Sequence, residues 1–178
     1  MASAPLVIAD YNPDWPRLYE EEQALILKTI GHILVGIEHI GSTAIPGLGA
    51  KPIIDIMIGL RALDDAVECI PLLRSIGHIY HPEFEDQVPE RRFFRKGPDG
   101  ARTHHIHMVE RSNQFWQDRI LFRDYMQTHE EDAMLYLLMK KELALRFGSN
   151  RRGYSDAKAA FVSAILAKAR VFSSLPTR

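Results

Sequence analysis

Gly36-Ile37-Glu38-His39-Ile40-Gly41-Ser42-Thr43-Ala44-Ile45-Pro46-Gly47-Leu48-Gly49-Ala50-Lys51-Pro52-Ile53-Ile54-Asp55-Ile56-Met57-Ile58-Gly59-Leu60 is the stretch on which the fold turns. From Pro52 onward, Ile54, Ile56, Ile58 and Leu60 alternate with Ile53, Asp55, Met57 and Gly59. Successive side chains of a strand point to opposite faces, so one face is wholly apolar and the other carries the carboxylate of Asp55. A carboxylate in an Ile-rich strand is costly unless it is paired, solvated or bound to metal. Upstream, residues 33–40 read as a strand. Gly41 to Pro52, with three glycines and two prolines, reads as a loop with room for one helical turn.

Gly41-Ser42 at the end of that strand lets backbone N–H groups approach an anion, and the Ser42 hydroxyl, with Thr43 beside it, adds hydrogen bonds. A plain strand-to-loop turn would have the same composition. Asp55 suits a divalent ion, since Mg²⁺ takes one or two carboxylates together with substrate phosphates.

Farther along, Thr103-His104-His105-Ile106-His107-Met108-Val109-Glu110 alternates again. Ile106 and Met108 share one face, and His105 and His107 share the other. If the two strands share a sheet, Asp55, His105 and His107 line one face. Two imidazoles and a carboxylate suit a transition metal, a phosphate, or a hydrogen-bonded polar cluster. Arg91, Arg92, Arg95, Lys96 and Arg102, with Lys51 near the glycine loop, supply cations of the kind that grip phosphate. Alternation sends only half of the strand's arginines to any one face.

The remaining pattern is mostly helical. Asp14 caps a helix to about Ile30, and Glu20-Glu21-Glu22 reads as its solvated face. A helix over 64–76 carries Pro71. Strands fit 78–84 and 91–96, with a turn at Gly97-Pro98-Asp99-Gly100. Ser112 caps a helix to Gln127, a second runs over 130–147, and Ser155 caps a third to Val171. Strands interleaved with helices, then helices only, give an α+β fold in a single domain over 1–178, with an α/β core at 1–111 and C-terminal helices at 112–178.

The 178 residues carry a net charge of −1, 46% hydrophobic and 25% charged residues. No global field attracts nucleic acid or an anionic membrane, so anion recognition must be local. Cys69 is the only cysteine, which excludes an intrachain disulfide. Met1 to Asp10 does not read as a signal peptide, and no apolar run approaches membrane-spanning length, so a cytoplasmic protein is expected. Neither a basic recognition helix nor an aromatic RNA platform is evident. A histidine-triad hydrolase would want a histidine where Val109 stands.

Ile37 to Leu48 followed by Lys51-Pro52-Ile53-Ile54-Asp55-Ile56 strongly resembles the GrpB family. So do Tyr11-Asn12-Pro13-Asp14-Trp15, Arg91-Arg92-Phe93-Phe94, His104-His105-Ile106-His107, Leu121-Phe122-Arg123-Asp124-Tyr125 and Tyr154-Ser155-Asp156-Ala157-Lys158. The resemblance runs from about Val7 to Ala169. It implies the polymerase-β type of nucleotidyltransferase superfamily: a mixed β-sheet with helices packed on one face, the other open to catalysis. It further implies that Gly41 and Ser42 contact phosphates, that Asp55 is the first metal-binding carboxylate, and that a divalent metal ion (Mg²⁺ or a transition metal) is the cofactor. The expected substrate is a nucleotide triphosphate or another phosphate-bearing small molecule. Gly41, Ser42, Thr43, Lys51, Arg91 and Arg92 are then substrate-binding candidates, Asp55, His105 and His107 metal ligands, and Asp55 and His107 catalytic. The pattern departs at Met57, where a second carboxylate is expected, and at His105 and His107, where a third is. The alternative is a non-catalytic nucleotide- or partner-binding module. A related domain is fused to dephospho-CoA kinase in some bacteria, so that module would support a coenzyme A pathway enzyme.

Overall fold

The computed structural model describes residues 6–174. Helix α1 spans Trp15–Ile30 and begins with a proline in its first turn, where the missing N–H costs nothing. Asp14 occupies the cap position, but its side chain makes no cap hydrogen bond. Instead Asn12 Oδ1 accepts from the Asp14 N–H at 2.9 Å, so the turn at Asn12-Pro13 sets the entry.

Five strands follow: β1 Gly36–Ile40, β2 Ile54–Leu60, β3 His78–Tyr80, β4 Arg91–Lys96 and β5 His104–Glu110. Their order in the sheet is β1-β2-β5-β4-β3. β2 and β5 are parallel, and the other pairs are antiparallel. Two strands are shorter than expected. The N–H groups of Ile33 and Leu34 close back on the Ile30 carbonyl, so β1 cannot start there. After β3, Pro82 opens a 3-10 turn over Pro82–Phe84 instead of continuing the ladder.

The apolar face holds Ile54, Ile56, Ile58, Leu60, Phe94, Ile106 and Met108, all nearly sealed. Against it pack α1 and helix α2, Ala66–Ser75, through Ile26, Ile30, Cys69 and Leu73. Each such side chain contributes roughly 1.5–3 kcal/mol by leaving water. Glu22 is not part of a solvated face. It is 6% exposed under the sheet, with Oε1 2.7 Å from His78 Nε2 and both oxygens 2.8 Å from Lys96 Nζ. Glu20-Glu21-Glu22 looked uniform because sequence does not show that only the third faces β3 and β4.

Three helices complete the chain: α3 Gln114–Thr128, α4 Glu130–Phe147 and α5 Arg151–Ser174. Asn113, not Ser112, caps α3, accepting from the Phe115 N–H at 2.7 Å. Ser155 lies inside α5, and Asn150 accepts from the Gly153 N–H at 3.0 Å where that helix begins. Trp116 of α3 crosses the second face of the sheet at the paired glycines Gly36 and Gly59, where a Cβ on either would meet the indole at 3.0 Å. That end is closed. The Asp55 end is left to the glycine loop and the helices. Among the described residues, no helix is long and apolar enough to cross a membrane.

Candidate functional site

The loop between β1 and β2 makes a 3-10 turn over Ser42–Ala44 and is then held from the helical side. Ile45 and Leu48 insert into the core formed by Tyr125, Met126, Tyr136 and Ile165. Gln127 Nε2 donates to the Ala44 carbonyl at 2.8 Å, and Lys140 Nζ donates to the Gly49 carbonyl at 2.6 Å. Gly41 begins the turn with φ 74°, a conformation that favours glycine. A Cβ there would also lie 2.6 Å from Asp55 Oδ2, so the absence of a side chain at Gly41 makes room for the carboxylate.

Asp55 stands opposite Ile40 on one side and His105 on the other. Its Oδ1 is 3.2 Å from His105 Nδ1 and 3.5 Å from His107 Nε2. Burial pushes its carboxyl up, but hydrogen bonds and charge attraction from the two histidines outweigh this and hold it well below the usual carboxylate range. Asp55 is therefore ionised and can only accept, so the facing ring nitrogens are N–H donors. The outer nitrogens then differ. His107 Nδ1 faces Arg91 NH1 at 3.3 Å and accepts from it. His105 Nε2 is buried with no partner. Burial lowers His107 to about 4, despite Asp55, so this ring is neutral at pH 7.

Ser42, Lys51, Asp55, His105, Lys140, Tyr154 and Lys158 share one cavity of about 130 Å³. The amine of Lys140 is almost fully buried and sits 4.7 Å from the Tyr136 ring. Burial, then the neighbouring Lys158, push it down to about 7. Burial lowers Lys158 too, while Asp55 pulls it up. The cavity thus has one carboxylate end and cationic walls, an arrangement suited to polyphosphate. Lys140 and Lys158 come from helices α4 and α5: Lys158 closes the Tyr154–Lys158 stretch that resembles the family, whereas nothing in the local sequence separates Lys140 from a solvated helix lysine.

The sequence-predicted residues divide. Ser42, Lys51, Asp55 and His105 meet in the cavity, and Asp55, His105 and His107 form a trio. The Ser42 side chain lies close enough to the Tyr136 phenol to offset part of the upward push that burial gives it. Thr43 borders the cavity, yet its buried hydroxyl lies 3.0 Å from His39 Nε2 and donates to the Ile53 carbonyl at 3.4 Å. That hydroxyl is a bolt between β1 and β2 and has no hydrogen left for a phosphate. Arg91 reaches His107. Arg92 does not reach the site: it pairs with Met108 in register, on the other face, and its guanidinium bonds Glu85 at 3.4 Å and the Pro89 carbonyl at 3.0 Å. Glu38 shares the site face but is tied to Arg123 at 2.8 Å.

The donor set bears on metal. Each of the trio offers a ligand atom, all within 4.8 Å of one another. The 3.2 and 3.5 Å separations from Asp55 Oδ1 match the edge of a tetrahedron built on bonds of about 2.0–2.1 Å. These residues therefore fit one transition ion. They do not fit the usual pair of Mg²⁺ ions, because Met57 stands where a second acid would be needed and is fully buried against Trp116.

Residues 5–168 match the family model described as GrpB protein, and the chain belongs to that family. The UPF0157 protein YqkA of Bacillus subtilis is 36% identical over 148 residues, which are 83% of this chain but 42% of that protein, so the chain spans less than half the length of this relative. A dephospho-CoA kinase of Mycobacterium leprae is 27% identical over 182 residues, covering 87% of this chain and 44% of the kinase. The crystal structure of the conserved protein GrpB from Enterococcus faecalis superposes with a TM-score of 0.83 at 32% identity, covering 92% of this chain and 96% of that one. The Mg 3'-dATP-bound Cid1 poly(U) polymerase gives a TM-score of 0.53 at 15% identity, covering 78% of this chain and 44% of that one. The likeness to Cid1 is one of fold: the mixed sheet is nucleotidyltransferase-like.

Proposed function

We propose that this GrpB-family chain transfers a nucleotidyl group from a nucleoside triphosphate to an acceptor nucleophile. The observation that carries this reading is the cavity that sets Asp55 against Lys51, Lys140 and Lys158. The lysines neutralise and orient the phosphates. Asp55 would hold the divalent ion that accompanies a triphosphate, or with His105 and His107 a transition ion, and either ion supplies charge neutralisation at the phosphates. The acceptor nucleophile attacks the α-phosphorus, the bond to the β-phosphate bridging oxygen breaks, and pyrophosphate leaves. Where Asp55 alone holds the ion, it also holds His105 by its Nδ1–H, and the buried, partnerless Nε2 is then the nitrogen that takes the acceptor's proton once the acceptor reaches it. This favours His105 over His107 as base, because the outer nitrogen of His107 is occupied by Arg91.

The test is nucleotide binding by calorimetry with Mn²⁺, followed by turnover assays for released pyrophosphate. Asp55→Asn should abolish Mn²⁺-dependent nucleotide binding. His105→Gln should retain binding and lose turnover. Unchanged nucleotide binding in Asp55→Asn would sink the proposal.

A second reading rests on Met57: with one acid where the transfer chemistry uses several, the chain binds nucleotide and releases it unchanged, serving as a module for a partner such as a coenzyme A pathway enzyme. Detection of pyrophosphate would exclude it.

A further inference from the structure

Beyond the trio, on the same face, two arginines approach each other. Arg91 comes from β4 and Arg119 from α3, and both lie against the ring of Phe115, at 5.9 and 4.8 Å from its centroid. Arg91 also covers the Phe93 ring at 4.8 Å. Several arginines elsewhere in the fold have acids: Arg92 has Glu85, Arg102 has Asp99, Arg123 has Glu38 and Asp124, Arg170 has Asp118. Among the described residues, neither Arg91 nor Arg119 is ion-paired. Arg91 instead rests NH1 on a neutral histidine, and its Nε is buried without a partner. The two guanidiniums are like charges gathered on one ring, and they repel. Arg119 is also within electrostatic reach of Tyr136 and Lys158. Two like charges held on a shared aromatic ring, with no acid in ion-pair contact among the described residues, are relieved when an anion comes between them.

We propose that Arg91 and Arg119, flanking Phe115, form an anion subsite that seats a phosphate group carried by the acceptor. Phosphate matches the planar guanidinium fork, and the aromatic rings hold both forks in place. The lysines of the cavity serve the donor on the His105 side, whereas this pair lies on the His107 side. The word acceptor rests on the nucleotidyl-transfer reading; the subsite itself does not.

The experiment titrates the full chain with inorganic phosphate, without metal or nucleotide, following the arginine Nε–Hε signals by NMR. Saturable shifts of Arg91 and Arg119 are expected. Arg119→Gln should weaken phosphate about tenfold and leave Mn²⁺–ATP affinity within about twofold of native, while Lys158→Met should do the reverse. Signals that do not move, or that drift without saturation, overturn the subsite. So does an equal loss of phosphate and ATP affinity in Arg119→Gln, which would mean one continuous polyphosphate site. Phosphate binding at the arginines together with no ATP binding would uphold the subsite and defeat the proposed function instead.

Discussion

His107 Nδ1 accepts a hydrogen bond from Arg91 NH1 at 3.3 Å, and this one contact opposes metal. An ion on His107 Nε2 displaces that proton to Nδ1, where it would face a second donor. Outer-nitrogen partners of metal-bound histidines are ordinarily acceptors. Arg91→Gln, whose amide oxygen can accept and whose charge is gone, should therefore tighten Zn²⁺ or Mn²⁺ binding about tenfold or more. Competition against a chromophoric chelator measures it, and unchanged affinity would mean that Arg91 does not gate the trio.

Gly41→Ala should destabilise the fold by about 2–4 kcal/mol, combining backbone strain at positive φ with displacement of the Asp55 carboxylate. Urea denaturation reads the loss. Gly47→Ala, also at positive φ but with open space around it, should cost less. Equal costs would mean that contact with Asp55 adds nothing.

Glu22 is held at about 2 by His78 and Lys96 in spite of its burial, below an ordinary 4.5. A depressed carboxyl contributes its stability above the unfolded value and loses it as pH falls toward the folded one. Stability should thus decline from about pH 4.5 down to about 2, by on the order of 3 kcal/mol. Glu22→Gln should remove this slope and be less stable at pH 7, because Lys96 and His78 lose their counter-charge. Denaturant midpoints across that range settle it.

Lys140 gives a slope of the same sign at higher pH, from the opposite cause, a charge that burial penalises. Its amine is held near 7 against an ordinary 10.5, so between those values the unfolded chain binds more protons and stability rises with pH. Lys140→Met should flatten that rise and fold at least as stably at pH 7. It should also weaken Mn²⁺–ATP binding about tenfold. A variant that keeps the native pH slope would contradict the assignment.

The sheet's two faces were legible from alternation alone. Ile54, Ile56 and Ile58 point one way, and Asp55, His105 and His107 the other, and the parallel pairing of β2 with β5 brings the trio together. What escaped reading depends on contacts across long sequence distances. The hydroxyl of Thr43 looked available until His39 and the Ile53 carbonyl were seen to claim it. Lys140 and Arg119 look like ordinary helix cations, and only docking of α3 and α4 turns them toward the sheet. Glu22 differs from Glu21 by one helical step of about 100°, enough to exchange solvent for the core.

The glycine loop is fastened by residues far along the chain: Gln127 to Ala44 is a separation of 83, and Lys140 to Gly49 one of 91. Contacts of that span form only after the intervening chain has given up its freedom. The order of folding follows. The sheet and α1 can collapse on apolar contacts made within residues 15–110, while the loop beside Asp55 takes its shape only when α3 and α4 arrive. During synthesis α4 must therefore emerge before the loop beside Asp55 takes its shape, and a nascent chain exposes Ile45 and Leu48 until then.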